Sequence, residues 1–248
     1  MTLPLFVAGR GALDAAAAGS TLRLDGDEGR HAAVVRRVRA GERLDVADGA
    51  GRVATCTVEA VDREGLRLVV EAVRDVAARR PLLVLVQALA KGGRDELAVE
   101  TATEYGVDAV VPWQAARSVV QWSGERAERG RRRWEATVLA AAKQSRRATV
   151  PVVEPAATTA ALAARAAAGA CVLVLHEDAA DALAALELPA GTGAVLLAVG
   201  PEGGIGDDEL ALLRDAGARP VRLGPEVLRS SSAGPAALAV LSVRLRRW

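Results

Sequence analysis

Two glycine-bearing loops near the C-terminus hold the residue types best suited to chemistry. Gly200-Pro201-Glu202-Gly203-Gly204 follows the apolar run Ala194 to Val199, and the segment Gly224 to Arg229 follows Val221 and Leu223. Each apolar run reads as a buried strand, and a helix follows each loop. The first helix opens with Asp207-Asp208-Glu209, acids at the positive end of its dipole, and a serine run caps the second. Glycine carries no Cβ, so backbone N–H and C=O groups in such loops can approach a ligand closely. One such loop is equally well explained as a tight strand-to-helix turn without a ligand. Two of them close together, at the ends of parallel strands, make a backbone-lined pocket for a small molecule. Glu202 suits holding the loop by accepting backbone N–H bonds, with substrate binding as the other role. Arg229, directly after the second loop, suits stabilising an anion, with an ion pair to an acidic neighbour as its alternative.

The GPEGG loop followed by LG-x-x-VLR-S-S-S-A resembles the SPOUT class of methyltransferases that use S-adenosylmethionine. Within that class it is similar to the RsmE family, which methylates N3 of a uridine in 16S ribosomal RNA. Further matches run in order along nearly the whole chain. Near the N-terminus they are His31, Val35, Arg37, Gly41 and Asp48-Gly49. Later come Lys91, Thr103-Glu104, Gly106-Val107, Pro112, Arg117-Ser118, Gln144, Arg147 and Pro151. Several motifs in register are more specific than any one of them.

The resemblance implies an α/β fold: a SPOUT-type parallel-sheet domain with a C-terminal trefoil knot, preceded by a small PUA-like β-barrel that binds RNA. It also implies a homodimer acting on 16S rRNA or the assembled small ribosomal subunit, with S-adenosylmethionine as cofactor and no metal. The cofactor would lie bent among three loops, the first after CVLVLHE. Its contacts carry over to Gly200, Glu202, Gly203, Gly204, Leu223, Gly224 and Leu228. Arg37, Arg94, Arg117 and Arg147 are the first choices for RNA contacts, and Arg10, His31, Lys91 and Gln144 the second. Uracil N3 carries a proton and is a poor nucleophile until that proton leaves. The reaction therefore needs a proton acceptor, or donors on O2 and O4 that stabilise the developing anion. Arg229 is the candidate catalytic residue for the second role. Two positions depart from the family. Ser231 stands where a glutamate is usual, and Thr101 where a lysine often stands.

Composition sets outer bounds. A chain of 248 residues, 51% apolar, can bury one large core or two modest ones. No run approaches the roughly 20 apolar residues of a membrane span, and the first residues lack the pattern of a signal peptide, so a cytoplasmic protein is expected. Cys56 and Cys171 lie in separate apolar runs without C-x-x-C spacing, which fits packing rather than a disulfide or metal site. Two histidines argue against most histidine-built metal sites. The net charge of +1 hides asymmetry: residues 117–147 hold nine Lys/Arg against three Asp/Glu, and residues 148–221 three against ten. Lys91 and Lys143 are the only lysines, and arginine suits bidentate phosphate contacts and base stacking. The run Arg131–Arg133 reads as a solvated face. Aromatics are too few for a base-stacking platform.

Short alternating runs at residues 21–24, 43–46, 53–61 and 66–73, separated by turn residues Asp48-Gly49 and Glu64-Gly65, predict a β-rich domain over residues 1–75. Residues 31–39 read as a short helix. From residue 81 to 248 continuous apolar runs alternate with helical segments, the pattern of a parallel sheet covered on both faces. That pattern includes a long helix over about 124–147 and a short one between CVLVLHE and AVLLAVG. His176 beside the first loop suits a packing or capping role. Two rival readings differ in kind. A Rossmann-type oxidoreductase lacks an early G-x-G-x-x-G, and an RNA-binding module that has lost catalysis would account for Ser231.

Overall fold

The computed structural model describes residues 3–248. The chain forms two compact units: residues up to 78 together with 142–150, and residues 79–141 together with 151–248. Residues 142–150, read from the sequence as part of the second region, belong with the first. The Val150 N–H donates to the Gly49 carbonyl at 2.9 Å, and Gly49 bridges Thr149.

The first unit is a five-stranded sheet: β1 (Leu5–Val7), β2 (Thr21–Leu24), β3 (Arg43–Ala47), β4 (Arg52–Val61) and β5 (Leu66–Asp75), in spatial order β1-β3-β4-β5-β2. The edge strands β1 and β2 do not pair with each other, so hydrogen bonding does not close the expected barrel into a ring. Turn chemistry sets the register. Asp48 Oδ1 accepts from the N–H groups of Ala50, Gly51 and Arg52 at 2.7, 3.1 and 3.0 Å, and Gly49 takes φ +76°. At the next turn Asp62 Oδ1 accepts from Glu64 and Gly65. Arg23 clasps the Asp62 carboxylate and, with those backbone donors, holds its pKa down at about 2. Alternate residues turn inward, and Phe6, Leu24, Leu44, Val46, Cys56, Leu66 and Leu68 form the core.

The helix expected over residues 31–39 begins earlier, as α1 (Gly26–Arg30), and runs directly into a π-helical turn over His31–Val35. Two glycines hid its start, because glycine is a poor helix former. Gly29 is required by contact: a Cβ there would lie 2.4 Å from the Leu24 carbonyl oxygen. Arg37 ends this segment at φ +52°, a left-handed conformation unusual for a side-chain-bearing residue.

Cys56 is fully buried. Burial, with the nearby charges of Asp45 and Glu71, pushes its thiol up to about 11. At pH 8 the thiolate is then about one part in a thousand. Cys56 should resist a thiol reagent in the folded protein and react only on unfolding, which a timed colorimetric thiol assay with and without denaturant would check. Rapid native labelling at Cys56 would contradict this packing.

The second unit holds a parallel sheet built from β6 (Leu82–Ala88), β7 (Ala109–Gln114), β8 (Val152–Val153), β9 (Ala157–Thr158), β10 (Cys171–Leu175), β11 (Ala194–Val199) and β12 (Arg219–Val221). Its order is β12-β10-β11-β6-β7-β8, with β9 also pairing β7. The helices are α2 (Arg94–Glu104), α3 (Glu125–Gln144), α4 (Thr159–Ala167), α5 (Asp207–Asp215) and α6 (Ser230–Arg244). Both faces of the central strands are buried, as the unbroken apolar runs require. Val84, Val86, Val172, Val174, Leu196 and Ala198 meet Leu162, Leu210 and Leu213 from α4 and α5. The alternate residues Leu85 and Val199 face α6. There Gly234 permits close approach, since a Cβ would lie 2.8 Å from Leu85 Cδ1.

The short helix expected between β10 and β11 is absent. Turns occupy that stretch, and Ala182 bridges Arg222, with Leu183 N–H donating to the Arg222 carbonyl and Arg222 N–H to the Asp181 carbonyl, each at 2.9 Å. Backbone pairing with the segment after β12 takes the groups a helix would have used.

Candidate cofactor and RNA site

Adjacent parallel strands β11, β10 and β12 end side by side, and the loops that leave them enclose a cavity of about 450 Å³. That lies within the roughly 300–1,000 Å³ of small-molecule sites. Three segments line it: Leu175 to Glu177 after β10, Gly200 to Glu202 with Gly204 and Ile205 after β11, and Arg222 to Gly224 with Glu226 to Ser230 after β12. Gly200, Glu202, Gly204, Leu223, Gly224, Leu228 and Arg229, all singled out from the sequence, meet at this one place.

Gly203 is the exception. It lies outside the cavity lining and faces Arg117: a Cβ on Gly203 would lie 3.4 Å from Arg117 Cβ. The left-handed residue of the loop is its neighbour Gly204, at φ +71°. Gly200 is needed for packing within the loop, because a Cβ there would sit 2.7 Å from Ile205 Cγ1.

Arg229 precedes the first residue of α6 in extended conformation (φ −62°, ψ 149°). It is exposed at the cavity and makes no ion pair among the described residues. The ion-pair alternative thus finds no partner among the described residues. The next residue, Ser230, is buried, lines the cavity, and its Oγ lacks a partner among the described residues. It is a polar atom that sequence reasoning passed over, although its place in the serine run was visible. Ser231 is not among the lining residues. Glu177 and Glu226 add carboxylates to the wall. His176 Nδ1 accepts from the Asp178 N–H at 3.2 Å, the capping role expected of it.

Arg94 also lines the cavity, where its Nη1 donates to Glu202 Oε1 at 2.8 Å. Partial burial pushes the Glu202 carboxyl up. Its hydrogen bonds to Arg94 and its own backbone N–H, with the charges of Arg94 and Lys91, outweigh that and leave it below the ordinary value. Arg117 Nη1 donates to the Gly203 carbonyl at 3.0 Å. Both arginines, chosen from the sequence as RNA contacts, therefore touch the glycine loop; Lys91 is exposed in the same unit.

The remaining RNA candidates, Arg10, His31, Arg37, Gln144 and Arg147, all belong to the first unit. Arg10, Arg37 and Gln144 are exposed and His31 and Arg147 half-buried; Arg147 reaches Thr149 Oγ1 at 3.4 Å. Arg131 pairs with Glu128 and Glu135, and Arg133 with Glu96, as expected of a solvated face. Among the described residues no cluster of His, Cys, Asp or Glu is arranged to hold a metal ion, and no helix is long and apolar enough to cross a membrane.

Residues 78–242 match the family model of an RNA methyltransferase domain, and residues 24–71 that of an RNA methyltransferase PUA domain. Ribosomal RNA small subunit methyltransferase E of Mycobacterium tuberculosis is 51% identical over 93% of this chain and 89% of its own length. The Bacillus subtilis protein of that name is 30% identical, covering 90% of each chain. The chain belongs to the ribosomal RNA small subunit methyltransferase E family.

Among solved structures, the Neisseria gonorrhoeae member of this family, bound to S-adenosylmethionine, superposes with a TM-score of 0.86 at 28% identity over 98% of each chain. A Legionella pneumophila methyltransferase solved with the same cofactor gives 0.83 at 27% identity over 98% of each chain. The α/β, SPOUT-type architecture behind a PUA-like domain is thus the one the resemblance implied.

Proposed function

We propose that this RNA methyltransferase transfers a methyl group from S-adenosylmethionine to N3 of a uridine in 16S rRNA, as a homodimer in the cytoplasm. The observation that carries the reading is the three-loop cavity with an arginine at its edge that is free of ion pairs among the described residues. The cavity fits the cofactor: its volume suffices, glycine loops line it, and the buried Ser230 Oγ lacks a partner among the described residues. Gly200, Gly204, Leu223, Gly224 and Leu228 would hold it, largely through backbone atoms. Gly203 would act from behind the loop. When bound, the cofactor supplies a methyl group on a sulfonium.

The protein's own part is alignment and charge. The loops would align the cofactor's methyl group with N3, and Arg229 would donate to uracil O2 or O4 and stabilise the negative charge that develops as the N3 proton passes to solvent. The trefoil knot and the homodimer rest on the family. Calorimetric titration with S-adenosylmethionine and with NAD tests the cavity assignment. Binding of the first alone is expected, and binding of NAD alone would favour the oxidoreductase reading.

RNA delivery belongs to the PUA-like unit, where Arg37 offers a separable test. Arg37→Gly removes a cation and also relieves a left-handed backbone, so the variant should be no less stable than the parent. Its RNA affinity should fall, and the slope of log affinity against log salt should flatten by about 0.7–0.9, one phosphate contact. An unchanged slope would take Arg37 out of the RNA interface.

A further inference from the structure

The segment after β7 carries Arg117 to the back of the glycine loop, on the side away from the lining of the cavity. Three glycines of that loop and its continuation lie against this one side chain. A Cβ on Gly203 would meet Arg117 Cβ at 3.4 Å, one on Gly204 would meet Nη1 at 3.9 Å, and one on Gly206 would meet Nε at 3.6 Å. Arg117 Nη1 closes the contact by donating to the Gly203 carbonyl.

The backbone that presents Arg117 is itself anchored. Glu209, in the first turn of α5 and only 7% exposed, accepts the Ala116 N–H at 3.0 Å through Oε1. The same oxygen accepts from the Thr159 hydroxyl, whose own oxygen accepts from Trp113 Nε1–H at 3.0 Å. Trp113 and Glu209 are buried, and a buried polar group left without a partner is costly, so this chain of bonds ties the end of β7 to the start of α5. The glycine loop runs into α5, so Arg117 holds its residues 203–206 while Glu209, from α5 itself, anchors the backbone that presents Arg117.

We infer that Arg117 and Glu209 are positioning residues for the cofactor: Arg117 braces the glycine loop from behind through the Gly203 carbonyl, and Glu209 holds Arg117 in place through the Ala116 N–H. Arg117 thereby takes a duty different from the RNA contact that its charge and motif suggested. The inference rests on the cavity being the S-adenosylmethionine site. Wild-type binding is therefore measured first, and its absence would defeat that reading rather than the brace.

With binding established, Arg117→Met keeps an unbranched stem of similar bulk and removes the guanidinium donor. Its dissociation constant for S-adenosylmethionine should rise roughly three- to tenfold, the range of one hydrogen bond. RNA affinity and its salt slope should stay at the parent values. Glu209→Leu should weaken cofactor binding at least as much, because it strands the Ala116 N–H. Glu209→Gln should restore most of the affinity, since an amide oxygen can still accept from Ala116 and Thr159. The Arg117→Met, Glu209→Leu double variant should lose less than the product of the two single effects, because both act through one loop. Thermal melting confirms that each variant is folded at the titration temperature; a variant that is not is replaced by Thr159→Val, which trims the same network and carries the same expectation. The brace is overturned if Arg117→Met keeps its cofactor affinity within twofold while its RNA salt slope drops by about 0.7–0.9, one phosphate contact. It is equally overturned if Glu209→Gln binds as weakly as Glu209→Leu.

Discussion

Arg229→Ala should slow methyl transfer by roughly a hundredfold, the scale of removing one donor that faces developing negative charge, with cofactor affinity nearly unchanged. Arg229 is exposed at the cavity, free of ion pairs among the described residues, and held by the extended backbone that starts α6. Its guanidinium is thus available to a base entering the cavity. The loss should appear in single-turnover rate at saturating cofactor and RNA, because the donor matters most when the N3 proton is leaving. Arg229→Lys should recover only part of the rate, since an ammonium cannot reproduce the planar fork of donors. Full single-turnover activity in Arg229→Ala would leave alignment and desolvation to account for catalysis.

The second large effect belongs to the glycine loop. Gly203→Val should abolish calorimetrically detectable S-adenosylmethionine binding while the protein stays folded. The cause is overpacking behind the loop: a Cβ at Gly203 meets Arg117 Cβ at a contact distance of 3.4 Å, and the two methyl groups of valine extend beyond it. Overpacking of this kind costs roughly 1–3 kcal/mol. Here it falls on a loop whose next residue is left-handed and whose backbone forms one wall of the cavity. Undiminished affinity in a folded Gly203→Val protein would show that the loop tolerates displacement and that its shape does not determine binding.

The way these residues came together shows what a sequence makes visible. The loops around Gly200 to Gly204 and Leu223 to Arg229 were legible because local chemistry marks them: apolar runs, glycines, and acids or serines at the next helix. Strands β2 to β5 were legible for the same reason, through alternation and the aspartate turns. Strand β1 has three residues and is recognised only by its parallel pairing with β3, so no local pattern announces it. The alanine-rich stretch between β10 and β11 has helix-favouring composition, and bonds to Arg222 override it. Arg117 carried a readable motif and an unreadable partner: Gly203 lies 86 residues away in sequence. Family position assigned Arg94 and Arg117 to RNA, whereas their bonds to Glu202 and Gly203 depend on the order in which the parallel strands stack.

The ribosomal substrate is the central claim, and one measurement addresses it. Small ribosomal subunits lacking the modification are incubated with the protein and methyl-labelled S-adenosylmethionine. The 16S rRNA is then digested, and the labelled nucleoside is identified and mapped by mass spectrometry. A single N3-methyluridine, formed by the wild-type protein and about a hundredfold more slowly by Arg229→Ala, is the predicted result. Label on another atom or another base, or no transfer from a protein that binds the cofactor, would contradict it.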